Sequence, residues 1–201
     1  MRRTAFVSRG TITPKPGKCK FCKDRLDRIG EKLHDRCVGP WYEANKAKIR
    51  MKAQRAEKAQ DRAKREAMKS IPELIAEAQE PFNKYVRLRD WSKGCFVCDR
   101  PFIQSVPGRA IHAGHVRSRA AAGHLRFNED NCHGECEGCN GPHGARPHQI
   151  KAGAIRRIGA ERFEALENDN TPHKWTHDEL RGIRDTYRAK AKELKHAQAT
   201  G

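Results

Sequence analysis

A chain of 201 residues, 36% hydrophobic and only 6% aromatic, has too little apolar material for one large core and suits several small units. Its 42 lysines and arginines against 25 acids leave a formal net charge of +17, so its expected partner is a polyanion. No apolar run of about eighteen residues exists, and Met1–Val7 is too short for the apolar region of a signal peptide; a soluble cytoplasmic protein with no membrane partner is expected.

Residues 1–40 read as a small zinc finger. Cys19-x-x-Cys22, His34 and Cys37 offer three thiolates and an imidazole, a complete tetrahedral zinc set, with Pro14, Pro16, Gly17, Gly30, Gly39 and Pro40 marking turns. The alternative leaves His34 on the surface and the finger short of a ligand. Six of the eight cysteines fall into three C-x-x-C pairs, which favours shared metal ligation over disulfides.

Residues 41–70 form the second unit, a basic helical linker. From Trp41 there is no Pro or Gly, and Glu43 to Lys69 is nearly all Ala, Lys, Arg, Glu and Gln, a strong helix former with no apolar stripe. A solvated spacer and a basic rod along a phosphate backbone are compatible readings.

Residues 71–201 form the third. Pro72 suits a first helical turn, and Leu74, Ile75, Ala78, Phe82, Tyr85, Val86 and Leu88 supply an apolar face, which Pro81 is expected to kink or split near Glu80. After the central segment, Ile150 to Leu166 should form two short helices or one broken at Gly159. A capping box at Thr176-His177-Asp178-Glu179 opens a last helix carrying Leu180, Ile183, Tyr187, Ala191 and Leu194. The fold class is therefore α+β, mostly helical.

The central segment carries the chemistry. Cys95-x-x-Cys98 and Cys136-x-x-Cys139 can close one tetrahedral zinc site, making about two structural zincs per chain with the N-terminal one. Between the pairs lie Gly114-His115-Val116 and Asn131, and Asn140 follows the last cysteine. Ala110 to Val116 is expected as a strand, Arg117 to Phe127 as the return, and Asn131 to Gly144 as a zinc-clasped turn into a short helix. Such a unit can hold one histidine and one divalent metal within a few ångströms of a phosphodiester. Arg117, Arg119, Arg126 and Arg146 would flank the phosphate as DNA-binding residues; the alternative is a merely solvated positive face. Cys132 reads as a buried filler, and His133 as a spare zinc ligand that four thiolates make unnecessary.

These residues resemble the HNH (ββα-metal, His-Me finger) nucleases. Ala113-Gly114-His115, Ala120-Ala121-Ala122, Leu125-Arg126-Phe127-Asn128-Glu129, Cys136-x-x-Cys139-Asn140, Arg157-Ile158-Gly159 and His173-x-Trp175-Thr176 further resemble the NinG (Rap) recombination endonucleases of lambdoid phages, over nearly the whole chain. The resemblance implies a structure-specific endonuclease cutting branched intermediates such as D-loops and Holliday junctions in the bacterial host cytoplasm, with magnesium or manganese. It implies His115 as general base, Asn131 as the residue that orients it or braces the loop, and Asn140 as a ligand of the catalytic metal. Gly114 departs from the pattern, since many HNH proteins place a metal ligand before the histidine; His112 and His143 are the substitutes. A homodimer and recombination proteins are further possible partners. The rival reading is a non-catalytic zinc-finger DNA-binding recombination accessory protein; an RNA-binding regulator fits less well because aromatics for base stacking are few.

Overall fold

The structure, a computed structural model, describes residues 15–141 and 143–200. Met1–Val7, Pro14 and, within the expected zinc-clasped turn, Pro142 lie outside the described residues. The chain divides into two compact units, residues 1–68 and 69–201, so the cysteine finger and the basic helix share one unit.

In the first unit the finger runs directly into helix α1 (Asp35–Ala67). Gly39 and Pro40, expected as a turn, lie inside this helix. Proline removes one backbone hydrogen bond there, but the strong helix formers beyond it propagate the helix and Cys37 anchors its first turn in the finger's core. Cys37 is the only buried residue of α1, as expected for a helix with no apolar stripe.

The second unit is built on α2 (Ile71–Asp90) packed against α6 (His177–Thr200). Pro81 does not split α2. Leu74, Ala78, Phe82 and Val86 recur every four residues on both sides of the proline and are all buried in one cluster with Leu180 and Tyr187. Packing of both halves against one partner outweighs the lost hydrogen bond. Both helices start with capping boxes, Ser70 with Glu73 and Thr176 with Glu179.

Strands β1 (Ile111–His115) and β2 (Cys132–Cys136) form an antiparallel two-stranded sheet, pairing Ile111 with Cys136, His112 with Glu135, Gly114 with His133 and His115 with Cys132. The return strand is thus Cys132–Cys136, not Arg117 to Phe127. Ala122 and Leu125 instead bury in a short 3-10 turn with Leu166, which takes those apolar residues away from strand pairing. After β2 come α3 (Glu137–Asn140), α4 (Pro147–Ile158) and α5 (Ala160–Asn168), the last two divided at Gly159, whose φ of +87° suits glycine. The architecture is mostly helical α+β, and no described helix is long and apolar enough to cross a membrane.

Candidate functional site

Two thiolate clusters have the geometry of zinc sites. The ligand atoms of Cys19, Cys22, His34 and Cys37, and those of Cys95, Cys98, Cys136 and Cys139, each lie within 4.8 Å of one another. Sulfurs about 2.3 Å from zinc define a tetrahedron with edges of about 3.8 Å; the Sγ atoms of Cys98 and Cys136 are 3.8 Å apart. His34 completes the first set: its Nδ1 lies 3.4 Å from Cys22 Sγ and 3.9 Å from Cys37 Sγ, and its Nε2 pairs with the Arg25 carbonyl at 2.9 Å, the outer hydrogen bond that orients a ligating imidazole. All eight cysteines are unbridged.

The C-x-x-C turns at Cys19 and Cys95 are built alike. Each first cysteine receives an N–H from four residues on (Lys23 at 3.1 Å, Asp99 at 2.9 Å), and that residue takes a left-handed φ (69° and 57°). Around the second cluster, burial would raise the Cys98 thiol, but Arg100 Nε, 3.3 Å from its sulfur, helps bring it down to about 6, toward the thiolate a metal needs.

His115 ends β1. Its ring lies 6.5 Å from that of Phe82 on α2, and its Nε2 lies 3.0 Å from the Arg126 carbonyl oxygen. A carbonyl only accepts, so Nε2 carries the hydrogen and Nδ1 is left with the lone pair. Burial lowers the imidazole pKa, and the charges of Arg119 and Arg126 lower it further against the opposing effect of that hydrogen bond. The ring is therefore neutral at pH 7, with a basic nitrogen. Cys132 Sγ lies 3.8 Å from this nitrogen, but burial drives its thiol up to about 12 and leaves it an inert filler.

Asn131 is fully buried. Its Oδ1 accepts from the Arg117 N–H at 2.8 Å, and its Nδ2 donates to the carbonyls of Arg117 and Leu125, both at 3.1 Å. It closes the loop between the strands. Asn140, at the end of α3, is exposed, as are His112 and His143; among the described residues no hydrogen bond joins Asn140 to His115.

The four arginines divide. Arg117 directs its guanidinium to the carbonyls of Leu166 and Asp169 and to Asn170 Oδ1, which ties the loop to the end of α5. Arg119 and Arg126 line one groove with Gln79, Asn83 and Arg87 of α2. Arg146 is exposed at the start of α4.

Three features have no counterpart in the sequence reading. Arg87 completes the groove. Asp90 is fully buried; burial would raise its carboxyl, but Arg89 at 2.7 Å, the Gly134 N–H at 2.8 Å and Lys93 at 3.1 Å hold it at about 2. This network pins the end of α2 to β2, beside His133, whose ring bonds the Asp130 carbonyl and stands outside the thiolate cluster. Glu135 is only 4% exposed, and burial pushes its carboxyl up to about 7. Strand alternation marks Glu135 as sharing a face with His112, but nothing in the sequence marks it as buried.

The chain matches the family model described as Bacteriophage Lambda NinG protein over residues 11–197. It is 28% identical to protein ninG of Escherichia phage 933W over 207 residues, covering 92% of this chain and 97% of the relative. It is 32% identical to the ninG proteins of Escherichia phage lambda and Salmonella phage P22 over 133 residues, covering 66% of this chain and 63% of each relative. No solved structure matches it.

Proposed function

The chain belongs to the NinG family of bacteriophage proteins, and from that premise we propose that it is a metal-dependent endonuclease that hydrolyses phosphodiester bonds in branched recombination intermediates such as D-loops and Holliday junctions. It acts in the cytoplasm of the bacterial host. The observation that carries the reading is the setting of His115: its Nε2 is fixed by the Arg126 carbonyl, which leaves Nδ1 as the unprotonated nitrogen a general base requires, and burial lowers the ring's pKa.

In this reading residues 95–140 are an HNH-like finger. The hairpin β1–β2 and α3 follow one another, the four thiolates hold zinc as a substitute for a larger core, and His115 takes the proton from the attacking water. Asn131 braces the loop that carries Arg126. A bound magnesium or manganese ion supplies positive charge for the phosphoryl oxygens and the leaving 3′ oxygen. The exposed nitrogen and oxygen donors of His112, Asn140 and His143 fit such an ion, which takes few protein ligands and keeps several waters. Arg119, Arg126 and Arg87 hold the flanking phosphates.

A binding-only accessory protein is the second reading, since the net charge of +17 and the two thiolate clusters would serve DNA binding without cutting. The two separate in a cleavage assay on junction, D-loop and linear duplex with magnesium or manganese. The nuclease cuts branched substrates, and His115→Ala abolishes cutting while binding survives. Equal cutting by that variant, or none by the wild type with either metal, defeats the reading.

A further inference from the structure

Resting on that nuclease reading, we infer that Glu135 is the acidic protein ligand of the hydrolytic cation, with His112 beside it as a second donor. Glu135 is 4% exposed, and among the described residues its carboxylate has no hydrogen bond or ion pair. A poorly hydrated carboxyl without a counter-charge holds its proton more tightly, and a divalent cation at that place would take the proton's position. The other deeply buried acid of this unit, Asp90, has its arginine and lysine; Glu135 has neither.

The direction of the side chain is informative. Glu135 pairs in register with His112, yet its carboxylate leans along the strand to lie over Gly114, where an added Cβ would collide with Oε2 and come within 3.0 Å of Cβ and Cδ. The residue before His115 has no side chain, and the neighbouring strand fills the vacant place with a carboxylate. His112, Gly114 and Glu135 share one sheet face, next to His115 in sequence but opposite the face that His115 shares with Cys132, and His112 is exposed on it. One carboxylate oxygen, one imidazole nitrogen and open positions for water and phosphate suit a divalent ion of the magnesium or manganese type, with manganese favoured by the nitrogen donor.

The test measures cation binding apart from cleavage. Manganese is titrated into the full zinc-loaded chain without DNA, and free Mn²⁺ is followed by its electron paramagnetic resonance signal. The wild type should bind one Mn²⁺ beyond its zincs, and Glu135→Gln, which keeps shape and removes charge, should weaken binding at least about tenfold with zinc content and melting temperature maintained. His112→Ala, at an exposed position, should also weaken it and decides the matter if Glu135→Gln does not fold. Wild-type affinity in a folded Glu135→Gln protein, unchanged affinity in His112→Ala, or no Mn²⁺ bound by the wild type overturns the assignment. A protein that binds Mn²⁺ through Glu135 yet cuts no DNA keeps this site and loses the nuclease reading. One that cuts while Glu135→Gln keeps full Mn²⁺ affinity does the reverse.

Discussion

Asn131 clasps the main chain of Arg117 at two points, accepting its N–H at 2.8 Å and donating to its carbonyl at 3.1 Å. With the third bond to Leu125, one buried amide closes the loop whose Arg126 carbonyl fixes His115. Asn131→Ala leaves buried backbone groups unsatisfied and should cost about 2–4 kcal/mol. Thermal or urea unfolding measures the loss. Asn131→Asp keeps the acceptor but loses both donated bonds, so it should fall on the same side. A change below about 0.5 kcal/mol, the range of ordinary surface substitutions, would show that the clasp does not hold the loop.

The pH dependence of cutting follows from His115. Its base form is deprotonated, and its pKa is lowered, first by burial and then by Arg119 and Arg126. The rate should therefore rise with pH and level off below the ordinary histidine value of about 6.5. Removing a neighbouring positive charge makes protonation easier, so Arg119→Gln raises the pKa and moves the acidic limb to higher pH. A limb that stays in place, in rate–pH profiles of kcat/KM, separates Arg119 from the field at His115. The same shift bears on stability: a folded state that resists protonating His115 loses stability as pH falls from the unfolded-state pKa toward the lowered folded one.

The thiolate sets were legible in the sequence because ligand chemistry is written in residue type and spacing, and the geometry puts His34 with the first set rather than apart on the surface. The helices at 147–158, 160–168 and 177–200 were legible for a similar reason, since Gly159 and the Thr176–Glu179 box act locally. Pro81 misleads because its local cost is outweighed by contacts with α6, more than ninety residues away. The apolar residues Ala122 and Leu125 pass for a strand because period alone does not separate a strand from a 3-10 turn anchored on Leu166, and Phe127 turns instead into the core of α2 and α6. Glu135 and Asp90 stay hidden because a charged residue reads as exposed until its neighbours are known.

Metal removal should act on the two clusters separately. Cys22→Ser removes a ligand of the first and should lower zinc content from about two per chain to about one, leaving the unfolding transition of residues 69–201 in place. Cys98→Ser removes a ligand of the second. Because zinc binding there is folding energy for a hairpin of two five-residue strands, that variant should lose both its metal and the central finger's cooperative unfolding. Zinc analysis with calorimetry checks both. Full zinc content in either variant shows that the named cysteine is not a ligand.

The groove lined by Gln79, Asn83 and three arginines makes a prediction about salt. Arg87, Arg119 and Arg126 converge there from α2 and from the loop after β1. Each arginine that neutralises a phosphate releases a condensed counterion, so replacing it with alanine should weaken DNA binding across all sequences and flatten the slope of log affinity against log salt by about one. Arg117, engaged with Leu166, Asp169 and Asn170, should behave differently: Arg117→Ala destabilises the fold while leaving the salt slope nearly unchanged. Binding titrations between about 50 and 200 mM salt distinguish the two kinds of arginine. An unaltered slope in Arg87→Ala would mean that phosphates do not run along α2 and that the approach to His115 lies elsewhere.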